Sequence, residues 1–220
     1  MTELEFSEKY TIDHAQAYYE KHRTGVRRRL SNYLENRMVA RALNVAGPVD
    51  TILDLPCGTG RFWETLLEQR PKKLIAGDLS QSMLDVAMQH RPEALLDQVE
   101  CYEMSAFDTG LTDDSVDLVL CMRLMHHLES RGDRLAILGE LARISRRYVV
   151  VSLWVYGSYQ AWRRTRLEKR RPERKYRNRC ILASNVFERE ARNSGLNVKA
   201  RLDLLPGISM WRTYLLELTP

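Results

Sequence analysis

The chain has 220 residues, of which 44% are hydrophobic, enough apolar material to bury the core of one α/β domain. Its net charge of +5 is unevenly placed: residues 156–180 hold ten Lys or Arg against Glu168 and Glu173, a local charge of +8, and the rest sums to −3. That points to a local anionic partner over a general nucleic-acid binder, and the longest apolar run, around Tyr148 to Tyr156, is far too short for a transmembrane segment.

Residues 1–46 read as helical and outside any sheet. Phe6, Tyr10, Tyr18 and Tyr19 precede a basic amphipathic stretch, Arg27 to Leu43. Leu30, Leu34, Met38 and Leu43 mark its apolar face, and Gly47-Pro48 ends it. Thr51 to Leu55 reads as a buried strand. It carries Asp54 and breaks into the loop Pro56-Cys57-Gly58-Thr59-Gly60-Arg61, after which Phe62, Leu66 and Leu67 recur at helical spacing. Strand, glycine loop and helix is how a doubly wound sheet holds a nucleoside-type ligand at the carboxyl end of its first strand. Glycines let the backbone approach the ligand, and the helix start offers free N–H groups. The loop is not the dinucleotide fingerprint. The third small residue would fall at Trp63, which argues against a Rossmann oxidoreductase.

Lys73 to Asp78 reads as the second strand, ending Gly77-Asp78-Leu79-Ser80 before Met83-Leu84 and Ala87-Met88. An acid at that strand end can accept both ribose hydroxyls, and its distance of 24 residues from Asp54 suits one βαβ unit. Its alternative role is to cap the next helix. Gln98 to Met104 reads as the third strand, followed by Ser105-Ala106-Phe107. Asp113-Asp114-Ser115-Val116-Asp117-Leu118-Val119 leads into a fourth strand and on to Cys121-Met122-Arg123-Leu124-Met125-His126-His127-Leu128. Leu135 to Ile144 follows as a helix and Arg147 to Leu153 as a buried fifth strand. Phe187 to Asn193 reads as a helix closed by Ser194-Gly195. Val198 to Leu205 and Met210 to Leu218 are the last two strands. The short Pro206-Gly207 link makes them antiparallel.

Four of these blocks, in order over residues 51 to about 130, resemble class I S-adenosylmethionine-dependent methyltransferases. Asp54, Gly58 and Gly60 match motif I, D-x-G-x-G-x-G, with Pro56 in place of the first glycine. Gly77-Asp78 through Ala87 resembles G-x-D-x-S-x-x-M-L-x-x-A. The run into strand four resembles D-x-S-F-D-L-V, and Leu124 to Leu128 is close to the L-H-H-L ending. Lys9-Tyr10, Ala15 and Tyr18 look like the K-Y...A...Y pattern of the family's N-terminal cover.

The resemblance implies one domain over 1–220. It would be a Rossmann-like seven-stranded, mostly parallel sheet with an antiparallel last strand, helices on both faces and a helical cover over 1–46. It implies that S-adenosyl-L-methionine binds, leaving as S-adenosyl-L-homocysteine, at Asp54, Pro56, Cys57, Gly58, Gly60, Asp78, Leu79, Met83, Ser105, Ala106 and Cys121. Ser105 stands where the family has an acid. No metal is implied.

In this chemistry the sulfonium already activates the methyl group, so the protein mainly aligns the acceptor and excludes water. A base is needed only for a protonated acceptor, and His126 and His127 are the candidates, with Arg123 one helical turn before His127. Their alternative role is hydrogen-bonded packing. Cys57 and Cys121 read as small buried thiols. The basic 156–180 segment, mixed with Tyr156, Tyr159, Trp162 and Tyr176, borders the acceptor side in the family. The expected function is methyl transfer to a small or lipid-linked anionic acceptor, with peripheral membrane contact through 156–180. An RNA methyltransferase is the second choice, and a non-catalytic S-adenosylmethionine-binding module is the reading from another class. Cys57, Cys101, Cys121 and Cys180 show no C-x-x-C or zinc spacing, and the acidic start Met-Thr-Glu-Leu-Glu-Phe lacks a signal-peptide pattern, so a cytoplasmic location is expected.

Overall fold

The computed structural model describes residues 15–17, 19–20, 25–170 and 179–219, with Arg27 described in its backbone alone. Phe6, Lys9, Tyr10, Tyr18, Arg171 and Tyr176 lie outside the described residues.

The apolar runs form seven strands: β1 Thr51–Asp54, β2 Lys73–Asp78, β3 Val99–Glu103, β4 Val116–Cys121, β5 Ser145–Trp154, β6 Leu196–Asp203 and β7 Trp211–Leu218. They make one sheet in the order β3-β2-β1-β4-β5-β7-β6. Each neighbouring pair from β3 to β5 is parallel, and β7 runs antiparallel to both β5 and β6. The antiparallel turn at the end of the chain is the one expected from the short Pro206-Gly207 link.

Helices α1 Val26–Ala46, α2 Trp63–Leu67, α3 Gln81–His90, α4 Glu93–Leu96, α5 Arg131–Ile144, α6 Tyr159–Lys169 and α7 Ser184–Asn193 surround the sheet. Alternate strand residues enter two separate cores, as pleating requires. Ile52, Leu74, Leu118, Leu120 and Val150 pack with Met38 of α1, Leu66 of α2 and Leu84 of α3. Leu53, Ile75, Val119, Cys121 and Val151 pack with Leu138 of α5 and Phe187 of α7. Both faces of β4 are therefore covered and all six of its residues are buried.

One expectation for α1 is corrected. Leu30 is 54% exposed, and Leu34 is half-buried. The buried face is Met38, Val39, Ala42, Leu43 and Ala46, because the C-terminal half of α1 is the part that reaches the core over the sheet.

Asp117, from the motif run that leads into β4, fastens the opposite end of the sheet from the glycine loop. Its carboxylate accepts from the Asp50 and Thr51 amides, each at 2.9 Å, and from Arg146 at 2.9 Å. The strand order reverses between β1 and β4, so their carboxyl ends border the crevice where open α/β sheets bind ligands.

Candidate active site

Asp54 ends β1 and Asp78 ends β2, and both are buried. Asp78 is satisfied by backbone: Gly58 N donates to Oδ2 at 2.8 Å and Ser80 N to Oδ1 at 2.9 Å. Burial raises its pKa, and these two N–H groups offset only part of the rise. Neither oxygen of Asp54 has a hydrogen-bond partner among the described residues. Burial, then the Asp78 charge, pushes its pKa well above the ordinary carboxyl range. The nearby Trp63 indole N–H offsets part of that rise, yet it completes no hydrogen bond of its own.

The two loop glycines are needed for different reasons. Gly58 has φ of 56°, and a Cβ there would meet nothing within 4 Å, so its backbone faces open space. Gly60 has φ of 69°, and a Cβ would lie 2.6 Å from the Trp63 ring. The first leaves room for a ligand, and the second admits the indole that fills the third position of the failed dinucleotide pattern. The loop is tied to β2 through Cys57 N, which donates to Gly77 O at 2.8 Å. Pro56 is half-buried and Cys57 buried.

The other sequence-predicted cofactor residues spread around this loop. Leu79 is 43% exposed at the end of β2. Met83 is turned into a small cluster with Ala15, Tyr19 and Val86. Ser105 Oγ accepts from Phe107 N at 3.2 Å, and Ala106 and Phe107 lean on the α5-side core. Cys57 and Cys121 are buried, and burial pushes both thiols upward, which suits packing over nucleophilic chemistry.

A second group gathers at the same sheet edge, beyond β4 and β5. Trp154 ends β5 and Trp211 opens β7, and the two are register partners with ring centroids 5.5 Å apart. His126 stacks on Trp154 at 4.6 Å and meets Trp211 edge-on at 4.9 Å, and the His127 ring is 4.1 Å away. His126 Nδ1 and Trp154 Nε1 are buried without partners among the described residues. Burial first, then the nearby His127, Arg123, Arg179 and Arg164, pushes the His126 pKa far down and holds the ring neutral. Three guanidinium groups lie over the tryptophans: Arg164 over Trp154 at 4.4 Å, Arg179 over Trp154 at 5.6 Å and Arg123 over Trp211 at 5.0 Å.

Sequence reasoning missed Glu35 on α1. Its buried carboxylate pairs with Arg61 of the glycine loop at 3.1 Å and with Arg123 beyond β4 at 3.1 Å, and it accepts from Ser31 Oγ at 3.0 Å. Burial raises its pKa, but Arg61, Arg123 and Ser31 outweigh it and hold the acid below its ordinary value. A signal existed: Glu35 shares the helix face of Met38, Val39 and Ala42, and an acid on a core face needs a partner. Trp154 and Trp211 were also missed, although each caps an apolar strand at the end where ligands bind.

This arrangement defines a class, a doubly wound sheet with a glycine loop and two buried acids at its switch point. Residues 52–147 match the model of a family described as "Methyltransferase domain". An uncharacterized methyltransferase-like protein of Schizosaccharomyces pombe is 41% identical over 75 residues, which are 34% of this chain and 27% of that protein. The matched stretch is thus little more than a quarter of that relative's length. Magnesium protoporphyrin IX methyltransferase from Synechocystis, solved with bound S-adenosylhomocysteine, superposes with a TM-score of 0.72 at 14% identity, covering 89% of each chain. Human N-acetylserotonin methyltransferase, solved with S-adenosylmethionine, gives 0.68 at 16% identity, covering 95% of this chain and 56% of that one. The chain has the class I, Rossmann-like methyltransferase fold, with a methyltransferase domain matched over 52–147.

That fold family implies S-adenosylmethionine, and the residues present fit it. The unpartnered Asp54 carboxylate suits a cationic ligand group. Gly58 leaves its approach open, and each Asp78 oxygen, with one N–H bound, retains a lone pair for a hydroxyl.

Proposed function

We propose that the chain is an S-adenosyl-L-methionine-dependent methyltransferase whose acceptor is small or lipid-linked and anionic. The observation that carries the cofactor is the buried, unpartnered Asp54 carboxylate beside Gly58 and Asp78 at the β1/β4 switch point. When bound, the cofactor supplies an electrophilic methyl on sulfur. Asp78 holds the ribose hydroxyls, Asp54 faces the cationic part, and the Gly58 backbone lies against the ligand. The aromatic wall of Trp154, Trp211 and His126 keeps water from the acceptor side. His127, half-buried in the helical turn 125–127 that follows β4, takes the proton of a hydroxyl or amine acceptor on an imidazole nitrogen, and neutral His126 beside it fixes its ring. The four cysteines are free, which fits a reducing cytoplasm.

The lipid-linked form of the acceptor is favoured by one surface. Tyr159 and Trp162 of α6 are each more than half exposed, as is Ile208. The 205–208 turn is bound to the start of α6 through Tyr159 N to Gly207 O and Gln160 N to Ile208 O. Exposed aromatics and an aliphatic beside Arg163, Arg166 and Lys169 suit an anionic bilayer. Among the described residues no helix is long and apolar enough to cross a membrane.

Calorimetry on the purified chain tests the cofactor. S-adenosyl-L-homocysteine should bind, and Asp78→Ala should weaken it by about 1–3 kcal/mol through lost hydrogen bonds to a charged group. Tighter binding of NAD, or wild-type affinity in the variant, would overturn the reading. Flotation with anionic vesicles tests the surface. An RNA acceptor would instead show a steep linear loss of log affinity with log salt.

A further inference from the structure

We propose that Arg123, Arg164 and Arg179, held on the faces of Trp154 and Trp211, form an oxyanion-recognition subsite that fixes a carboxylate or phosphate of the acceptor next to the transfer site. The inference rests on the methyltransferase reading and gives its acceptor side a chemical class.

The three arginines come from three places: the second residue after β4, the middle of α6, and the segment before α7. Yet all three lie over one tryptophan pair, at 4.4, 5.0 and 5.6 Å. A guanidinium over an indole can meet the ring and still offer other N–H groups to a planar oxyanion, as Arg123 does with Nη1 already donating to Glu35. The tryptophans therefore act as pedestals, not as a stacking surface for the ligand. Arg123 is further fixed by its left-handed backbone, φ of 64°, by its amide donating to Ser152 Oγ at 2.8 Å, and by Glu35. Arg164 Nε is ion-paired with Glu168 Oε1 at 2.8 Å and completes no hydrogen bond among the described residues.

Independent support comes from the floor of the cluster. His126 is 1% exposed and Trp154 is 4% exposed, and each has a buried nitrogen without a partner among the described residues. Buried polar atoms are nearly always satisfied, so two together beside three cations mark a place built to receive a polar ligand. After burial and His127, the same cations help keep His126 neutral. A neutral imidazole and an indole N–H can lie beside three arginines without adding a fourth charge.

The test uses the full chain and two probes, benzoate and phenyl phosphate, titrated calorimetrically with and without S-adenosyl-L-homocysteine. At least one probe should bind. Arg164→Gln and Arg179→Gln should each weaken it by about tenfold or more, the loss of a charge-assisted contact. Arg164→Lys, which keeps the charge but not the fork, should lose less than Arg164→Gln. Arg166→Gln, whose guanidinium lies over the exposed Trp162, should leave probe binding unchanged. Cofactor-product affinity should stay the same in all four variants. Which probe binds decides between a carboxylate and a phosphate. The proposal is overturned if neither probe binds, if the 164 and 179 variants bind like wild type, or if Arg166→Gln weakens binding equally. Loss of S-adenosyl-L-homocysteine binding in the wild type would instead remove the methyltransferase reading, and the probe titrations alone would still judge the anion subsite.

Discussion

Asp54 and Asp78 end neighbouring parallel strands and face one loop, but the backbone satisfies only Asp78. Two amides bind it at 2.8 and 2.9 Å, while both oxygens of Asp54 are buried with no partner among the described residues. A buried, unpaired carboxylate is costly. Under the proposed function, a cationic ligand group would supply the partner that this acid lacks.

Asp54→Asn therefore separates stability from binding. Burial raises the Asp54 pKa in the folded chain above its ordinary 3.8. A raised acid favours the folded state fully below the unfolded value, and that advantage is lost as pH rises toward the folded pKa. The asparagine variant, which has no proton to gain or lose on burial, should thus be about 1–3 kcal/mol more stable than wild type near neutral pH, each unit of raised pKa being worth about 1.4 kcal/mol. The gain should vanish below pH ~3.8, the ordinary aspartate value. The same variant should bind S-adenosyl-L-homocysteine more weakly. Urea unfolding across pH with calorimetry checks both, and a destabilised variant near neutral pH would count against this account.

Glu35 is the opposite case, a buried acid whose partners hold its pKa down. Glu35→Gln leaves the buried Arg61 without its carboxylate and loosens α1 from the loop. The expected cost is about 3 kcal/mol or more near neutral pH. For a lowered pKa the sign reverses. The stabilisation is full above the ordinary 4.5 and is lost as pH falls through the lower folded value. Thermal unfolding should show wild type and variant converging in acid.

The two histidines should behave differently. His126→Ala empties the space between Trp154 and Trp211 and should cost about 2 kcal/mol or more of stability. His127→Ala should leave stability nearly intact. On the acceptor that wild type turns over, it should cut kcat by about 10²–10⁴ with cofactor-product affinity kept. Normal turnover in both His127→Ala and His126→Ala would make both rings structural.

Glu140 offers a check far from the site. Burial raises its pKa, but Arg143 and the Thr109 amide and hydroxyl bring it down to about 2. Glu140→Gln should be destabilised by about 1–3 kcal/mol near neutral pH, the range for hydrogen bonds to a charged group. The gap should close between pH 4.5 and about 2, because the wild-type contribution is lost as the acid protonates. Urea midpoints measured over that range would show it, and a gap independent of pH would refute the assignment.

The sheet was legible because each strand is a short apolar run and each turn carries its own chemistry. Thr51–Asp54, Lys73–Asp78 and Val116–Cys121 formed where the pattern placed them. The acids at the ends of β1 and β2 were legible for the same reason, as charges stopping buried runs. Leu30 misled because helical periodicity says which residues share a face but not how far the helix extends over the core. The Glu35 tie and the cluster around Trp154 and Trp211 were hidden by distance along the chain. Glu35 meets Arg123 across 88 positions, and local pattern carries no information about such pairs.

Gly60 and Trp63 interlock so closely that a Cβ at position 60 would sit 2.6 Å from the indole. Substitution at these two positions therefore has a permitted order. A lineage that placed alanine at 60 first would meet a clash and a left-handed backbone together, whereas one that first shrank position 63 would open the space. The route from this loop to a three-glycine dinucleotide loop thus begins at the tryptophan, and until it is lost position 60 is closed to side chains.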